Sequence, residues 1–230
     1  MANRRDELLR IAGELFARRG FTNTTVRDIA DAAGILSGSL YHHFDSKESM
    51  VDELLRTFQT DLFATYDEIL ARGLDGRATV DAVVRASFEA IDQHHDEVAI
   101  FQNDAGHLMG LERFSYLREH NKRFREMWTS LLADGVAAGD LRADLDPELT
   151  YRFIRDTVWV AVRWYRPGGS PTASEVADQY LAILFDGITQ DLDKLDHREP
   201  LDHREPLDHR EPLDHREPLD HRTDGGSDRG

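Results

Sequence analysis

Small, hydroxylated and cationic side chains are concentrated between Thr25 and Lys47, where their spacing places several of them on one helix face. Hydroxyl and imidazole groups bond to phosphate oxygens or base edges, and small residues let a helix approach the major groove closely. Thr25 and Lys47 stand at predicted helix N-termini, where free amide groups attract phosphate. The pattern predicts a surface for double-stranded DNA with these contact residues: Thr25, Arg27, Ser37, Ser39, Tyr41, His42 and Lys47.

Some of these side chains also have a purely structural interpretation. Tyr41 is suited to packing against the first helix, and His42 and His43 are suited to a solvated helix surface. Arg4 and Arg5 indicate either an arm that reaches the DNA backbone or a solvated chain end. The residue types alone leave these alternatives open.

A second group of residues is suited to binding a small anion. Arg155, Trp159 and Arg163 recur every four residues, so they share one face of a helix predicted over 147–166. Arginine is rarely fully buried without a partner, and its guanidinium binds carboxylate or phosphate through paired hydrogen bonds. These arginines therefore either pair with acids of the protein or bind an anionic ligand.

Apolar side chains of the same region are candidates for the wall of a ligand cavity, although an ordinary core needs the same side chains. With the arginine face, the predicted ligand-binding residues are Phe101, Met109, Trp128, Arg155, Trp159 and Arg163. Such a cavity would also suit an enzyme acting on acyl-CoA. The sequence has no glycine-rich phosphate loop and no evident nucleophile and base, so we expect no catalytic residues and no bound cofactor.

The sequence changes character after Lys194. Leu-Asp-His-Arg-Glu-Pro occurs four times in succession from Leu195 to Pro218. Proline in every repeat prevents a continuous helix, and one leucine per repeat cannot build a core, so we predict a disordered tail. Its evenly spaced histidines are suited to metal binding, but solvated low-complexity sequence is the better interpretation of them, and no metal site is predicted. They are His197, His203, His209, His215 and His221.

Helical periodicity runs through the rest of the chain and predicts an all-α fold. A first helix ends at Gly20, a second runs from Thr25 to Gly34, and a third covers 37–44. Three short helices with a glycine-containing turn before the third are typical of a helix-turn-helix DNA-binding domain. Later helices are predicted at 46–70, 78–94, 96–108, 112–138, 147–166 and 172–190.

We divide the chain into three regions. A helix-turn-helix DNA-binding domain covers 1–46, a helical ligand-binding and dimerisation domain covers 47–194, and the disordered repeat tail covers 195–230. The 147–166 helix carries two apolar stripes, so it must be buried on two faces. One face serves its own core, and the other predicts a homodimer whose interface also includes the 172–190 helix.

Charge and composition narrow the classes of partner. The formal net charge is −16, but residues 1–50 contain seven Lys or Arg and seven Asp or Glu, so this segment is neutral on an acidic chain. That distribution permits DNA binding without predicting it. No apolar run approaches the roughly 20 residues that cross a bilayer, so no membrane partner is expected. The absence of cysteine fits the cytosol. With the predicted DNA partner, we expect a cytoplasmic, nucleoid-associated protein.

The segment from Thr22 to Lys47 resembles the DNA-binding signature of the TetR family of transcriptional regulators. The matching positions are Thr25, Ile29, Ala30, Ala33, Gly34, Gly38, Leu40, Tyr41, Phe44 and Lys47. The resemblance implies a dimer on a palindromic operator, a small ligand held after the fourth helix, and a phosphate contact for Tyr41. Leu36 and Ser37 stand where many members have a polar cap and a basic residue, so a cation is missing there.

Two stretches, 34–56 and 151–169, are similar to one subgroup of that family, the second KstR type of actinobacterial steroid-catabolism repressors. The similarity covers most of residues 4–190 and excludes the tail. It implies a repressor that an acyl-CoA thioester of a bicyclic steroid fragment releases from DNA. The alternatives are a transcriptional activator of the same family and a helical protein that binds or processes acyl-CoA and has no operator.

Overall fold

Nine α-helices build the part of the chain that the structure describes, residues 4–188 of a computed structural model. No strand occurs within these residues, which confirms the predicted all-α fold. The repeat tail and its five histidines lie outside the described residues. The helices are α1 (Arg4–Arg19), α2 (Val26–Ala32), α3 (Ser37–Leu40), α4 (Lys47–Leu70), α5 (Gly76–Gln93), α6 (His95–Leu108), α7 (Tyr116–Ala138), α8 (Pro147–Val160) and α9 (Ala173–Asp186).

Several helices begin at capping signals of the sequence. Thr25 caps α2 and Thr172 caps α9, because each threonine hydroxyl accepts a hydrogen bond from the N–H three residues further on. Asp146 caps α8 just before Pro147, whose missing N–H has no helical partner at that position in any case. These caps satisfy amide groups that the first helical turn leaves without partners.

Two predicted helices are less regular than expected. The helix predicted over 37–44 is α-helical only to Leu40 and continues as a turn, in which His43 N–H donates to Leu40 O at 2.9 Å. The helix predicted over 112–138 begins with a separate 3-10 turn, Glu112–Phe114, before α7. In both places the apolar spacing is kept, and the backbone tightens where two elements meet within a few residues.

The ends of α8 and α9 are also earlier than predicted. The helix predicted over 147–166 ends at Val160 and continues as a 3-10 turn, Ala161–Arg163. Pro167 limits how far any helix can continue, because it has no N–H to donate to Arg163 and it disfavours helical geometry in Arg166. α9 ends because Gly187 adopts a φ of 77° with a ψ of −170°, an extended positive-φ conformation that glycine reaches without strain.

Buried apolar side chains form two clusters, and three helices, α4, α6 and α7, contribute to both. We call α1 to α3 the reading head and α4 to α9 the body. The first cluster lies under the reading head and includes residues 50–55 of α4, whereas the second fills the body and includes residues 58–69 of α4. α6 divides similarly, because Val98 belongs to the second cluster and Leu108 to the first. α4 and α6 therefore connect the head to the body, and the domain boundary after residue 46 stays a prediction.

α4 is the longest helix in residues 4–188, with 24 residues, and it is therefore about 36 Å long. Its N-cap is Ser46, which exchanges hydrogen bonds with Ser49. A single rigid helix thus runs from the end of the reading head into the middle of the body. None of the helices in residues 4–188 is long and apolar enough to cross a membrane.

Candidate DNA-binding surface and ligand cavity

The turn between α2 and α3 determines where the recognition helix begins. Gly34 has a φ of 67°, a left-handed conformation that glycine adopts without strain. Ile35 N–H donates to Ala30 O at 3.0 Å, which closes the C-terminus of α2. Leu36 is then extended, with φ −73° and ψ 142°, as the N-cap of α3. The chain therefore reverses within three residues, as a helix-turn-helix requires.

Burial divides α3 and the turn after it into two faces. Leu40 and Phe44 are buried in the first cluster, whereas the Tyr41 side chain is 56% exposed. The four DNA-contact residues predicted here are all half-buried or exposed: Ser37, Ser39, Tyr41 and His42. Their side chains are thus accessible to a duplex, while two apolar anchors hold the segment on the head.

The start of α2 carries two further predicted contacts. The Thr25 hydroxyl donates to Asp28 Oδ2 at 2.5 Å and accepts from Asp28 N–H at 3.1 Å. The hydrogen bond from Thr25 holds the pKa of Asp28 below its ordinary value. The Arg27 side chain is 85% exposed, with Nε 3.7 Å from Asp31 Oδ2. Such an exposed pair stabilises little, so the guanidinium remains accessible to phosphate.

Lys47 binds the protein's own backbone rather than projecting freely. Its Nζ donates to Phe21 O at 2.8 Å and to Thr24 O at 3.0 Å. The same nitrogen lies 4.2 Å from the centroid of the Phe21 ring, which adds a cation–π contact. Lys47 therefore ties the start of α4 to the connection between α1 and α2, and its contact with phosphate stays a prediction.

α6 holds the same connection through a second hydrogen bond. Phe21 N–H donates to Asp104 Oδ2 at 3.0 Å, and the Phe21 ring centroid lies 5.9 Å from that of His107. We call Phe21, Lys47 and Asp104 the Phe21 junction. Because Lys47 belongs to α4 and Asp104 to α6, both connecting helices grip the head at this junction.

Arg4 and Arg5 belong to the first turn of α1 and bind protein groups. Arg4 Nη2 donates to Ala33 O at 3.0 Å. Arg5 donates two hydrogen bonds to the Glu53 carboxylate, each at 2.5 Å. These contacts attach α1 to the end of α2 and to α4. The arginines therefore stabilise the packing of the first helices and do not form an arm.

A cavity of about 90 Å³ lies in the body, between α4, α6, α7 and α8. Aromatic rings form much of its wall. Trp159 stands edge-on to Phe58 and Phe124, with centroid distances of 6.2 and 6.1 Å. Five polar side chains interrupt the apolar lining: Gln59, Gln102, His120, Asn121 and Arg155. Asn121 and Arg155 are exposed, so the cavity meets solvent beside them.

His120 and Gln59 join α7 to α4 at the cavity wall. His120 Nδ1 is hydrogen-bonded to Gln59 Oε1. A carbonyl oxygen only accepts, so Nδ1 carries the proton. Burial, followed by the positive charges of Arg123 and Arg56, lowers the pKa of His120 from its ordinary value, and the ring is therefore neutral at pH 7.

The structure separates the six predicted ligand-binding residues into two groups. Phe101, Arg155 and Trp159 line the cavity. Among the described residues, the other three lie elsewhere. Trp128 is buried in the second cluster, and Met109 packs against the first. Arg163 is exposed in the 3-10 turn, because α8 ends before the helix face that it was predicted to share is complete.

Arg155 is the cation at the open end of this cavity. Its Nε donates to Asp156 Oδ1 at 2.6 Å, and its guanidinium carbon lies 5.5 Å from the centroid of the Tyr151 ring. A guanidinium has five N–H donors, so this bond leaves others available to an anion. Arg152, on the same helix, binds Glu148 at 3.1 Å and lies outside the described lining.

Gln59 and His120 were not among the predicted ligand-binding residues. Gln59 carried a signal, because it is a polar side chain at an apolar position of α4, with Leu55 four residues before it and Leu62 three residues after it. It is only 5% exposed. His120 carried none, because the residues beside it in sequence are polar and its burial comes from packing between helices.

Two apolar stripes run along α8 and the turn after it, as the sequence predicted, and within residues 4–188 only one of them is covered. The covered stripe lies in the second cluster: Tyr151, Ile154, Val158, Ala161 and Tyr165. On the other stripe, Phe153 is 66% and Trp164 56% exposed, and Val160 is also exposed. α9 adds an exposed Ile183. Large apolar side chains left in solvent on neighbouring helices mark a surface for another protein.

Comparison with known families accounts for both parts of the chain. Residues 8–54 match the family model of bacterial regulatory proteins of the tetR family. Residues 73–188 match the tetracyclin repressor-like C-terminal domain. The first match contains the turn, the recognition helix and Lys47. The second contains α6, α7 and α8, which enclose the cavity on the sides that α4 does not.

Individual relatives are similar over most of their length. The HTH-type transcriptional repressor KstR2 of Rhodococcus jostii is 63% identical over 187 residues, which are 81% of this chain and 92% of that protein. The KstR2 repressor of Mycobacterium tuberculosis is 55% identical over 82% of this chain and 94% of its own length. The solved structure of the ketosteroid transcriptional regulator KstR2 of Mycobacterium tuberculosis superposes with a TM-score of 0.78 at 54% identity, covering 83% of this chain and 97% of that one.

These relatives are regulators rather than enzymes, and regulators of their kind bind DNA and act as dimers. The helix-turn-helix, the uncovered apolar stripe and the two family matches agree with one another. This chain therefore belongs to the TetR family and is a TetR-type transcriptional repressor.

Proposed function

We propose that the repressor binds a palindromic operator as a homodimer and that an acyl-CoA thioester of a steroid-ring degradation intermediate releases it. The observation that carries this proposal is the cavity, whose aromatic wall has Arg155 at its open end. α4 connects that wall directly to the reading head. The name of the Mycobacterium tuberculosis relative, a ketosteroid transcriptional regulator, supports a steroid-derived ligand. Such a protein works in the cytoplasm, on the nucleoid.

The lining suits the two halves of such a ligand. Fused hydrocarbon rings are buried favourably among Phe58, Phe124 and Trp159, because apolar surface leaves water. The CoA portion carries phosphates and must remain near solvent. Arg155 stands where the cavity opens and can bind phosphate or the thioester carbonyl. Asn121, beside it, adds a neutral hydrogen-bonding group.

The size of the cavity suggests how binding is coupled to DNA release. Sites for drug-sized ligands measure about 300–1,000 Å³, so a cavity of about 90 Å³ must widen to admit a bicyclic acyl group. Its walls include α4 and α6, which both grip the head at the Phe21 junction. Widening the cavity therefore moves the supports of the head, and the two heads lose the spacing of about 34 Å that one turn of DNA requires.

The energetic requirement is modest. A ligand shifts the balance between two states only by its difference in affinity for them. A hundredfold loss of DNA affinity needs a difference of about 2.7 kcal/mol, which is within the usual range for coupled sites. Reciprocity follows, so operator DNA must weaken thioester binding by the same factor.

Fluorescence anisotropy with labelled duplexes tests this proposal. Tiles across the intergenic DNA upstream of the gene are titrated with protein, with and without steroid-derived acyl-CoA thioesters. We expect salt-dependent binding to one palindromic tile and its loss when the thioester is added. CoA alone and a short-chain acyl-CoA are the matched controls. Equal thioester affinity for free and operator-bound protein would contradict the release mechanism, and binding unaffected by every thioester would exclude the proposed ligand class.

A further inference from the structure

Leu36 is an exposed apolar side chain in the middle of the DNA-binding surface. It is 80% exposed, although it is the N-cap of the recognition helix and lies between half-buried Ile35 and Ser37. A leucine cannot cap, and no side-chain hydrogen bond is made at this position. The residue therefore contributes neither a cap nor core packing to the folded head.

The backbone of Leu36 makes a hydrogen bond in the first turn of α3, whereas its side chain projects into solvent. Leu36 O accepts from Ser39 N–H at 2.8 Å, which closes the first turn of α3. An added Cβ at neighbouring Gly38 would meet no atom within 4 Å, so the surface here is open. The half-buried or exposed hydroxyl and imidazole residues of the DNA-binding surface follow it within six positions: Ser37, Ser39, Tyr41 and His42. A duplex is therefore the partner that this position faces.

The edges of the bases offer one apolar group in the major groove, the C5-methyl of thymine. Polar and cationic side chains read the donors and acceptors of the other bases, whereas an apolar side chain has nothing to bond there. Resting on the operator binding proposed above, we propose that Leu36 determines specificity by packing against a thymine methyl group in each operator half-site. This contact takes the place of the cationic one that Leu36 and Ser37 cannot make.

Methyl deletion on the DNA isolates this contact. The operator is first selected from a pool of randomised duplexes, and each thymine of the selected site is then replaced in turn by deoxyuridine, which lacks only the methyl group. Burying one such group is worth about a fourfold change in affinity. We expect one thymine per half-site to respond by about that factor, and about 15-fold when both half-sites are changed.

The protein variant Leu36→Ala completes a double-mutant cycle with the same duplexes. We expect Leu36→Ala to bind the thymine operator more weakly and to show no further loss with deoxyuridine at the responsive position. The salt dependence of binding should not change, because no phosphate contact is removed. Leu74→Ala, an exposed leucine in the loop between α4 and α5, is the matched control and should keep the full response to deoxyuridine.

The possible outcomes separate this inference from the function on which it rests. If the wild-type protein selects no duplex, operator binding is contradicted and the Leu36 contact with it. If the operator is bound but no thymine responds, or if Leu36→Ala and the wild type respond equally, only the Leu36 contact is overturned. The melting temperatures of Leu36→Ala and wild type are compared as well, and equal values show that weaker DNA binding does not come from a folding defect.

Discussion

The DNA-binding surface and the ligand cavity are built on opposite principles. In the reading head, functional side chains point outwards from α3 while backbone hydrogen bonds and two buried anchors hold the segment in place. In the body, functional side chains point inwards, and aromatic packing between four helices holds them. In the proposed release mechanism the first arrangement stays rigid while it reads DNA, and the second widens to admit a ligand. The Phe21 junction lies between them and, in that mechanism, carries the movement of the cavity wall to the reading head.

The largest expected effect concerns the rigid side of this comparison. Phe21 is 3% exposed and contacts Phe16, His107 and Lys47. Phe21→Ala should lower the free energy of unfolding by about 3–5 kcal/mol, because it leaves a void in a packed core. Urea denaturation measures this loss. Phe101→Ala changes a half-buried residue at the cavity and is the control. Its free energy of unfolding should fall clearly less. Equal decreases in the two variants would contradict the distinction between a rigid head and a cavity that can widen.

The next effect concerns the ligand end. Arg155→Met removes the cation at the mouth of the cavity and keeps its apolar stem. We expect thioester affinity to fall about 10- to 100-fold, because hydrogen bonds to charged groups contribute about 1.5–3 kcal/mol. Calorimetric titration with the acyl-CoA thioester measures this affinity in the variant and in the wild type. Arg152→Met is the matched control, because Arg152 binds Glu148 on the same helix; a similar loss in both variants would indicate a general effect of charge.

Asp104 tests the connection between the two regions. Asp104→Ala removes the acceptor for Phe21 N–H, so movement of α6 should reach the head less efficiently. We expect the ratio of operator affinities without and with thioester to fall about fivefold, since one hydrogen bond contributes about 1 kcal/mol. Asp104→Asn keeps an acceptor oxygen and should restore most of the ratio. An unchanged ratio in Asp104→Ala would mean that α4 alone carries the signal.

The smallest effect concerns pH. Burial lowers the pKa of His120 in the folded protein, so the unfolded chain binds more protons. The stability from neutral His120 is therefore complete above about pH 6.5 and is lost as the pH falls from there through the folded pKa. Thermal melting between pH 8 and pH 5 should show a smaller decrease for His120→Gln than for wild type. His42→Gln, a variant of an exposed histidine, is the control and should show the same decrease as the wild type. If the melting temperature of His120→Gln falls as much as that of the wild type, the decrease comes from other groups.

Much of the fold could be read from short stretches of sequence. The caps at Thr25, Asp146 and Thr172 each depend on residues within four positions, and so does the turn at Gly34. Helix ends were predicted less well, because α8 ends at Val160, seven residues before Pro167, the nearest later residue that cannot extend a helix. The uncovered stripe of α8 was also readable, since two apolar faces on one helix require two partners.

The cavity was read only in part, and the reason is distance along the chain. Gln59 and His120 meet across 61 residues, and Phe21 and Asp104 meet across 83. Local spacing shows which face of a helix is apolar, but which faces meet depends on how helices cross, and that depends on every side chain between them. Sequence alone therefore predicted the order of the helices and the turn, and it named residues for a DNA-binding surface whose contacts stay predictions. Only packing in three dimensions selected Arg155 over Arg163 for the cavity and placed Phe21 between α4 and α6.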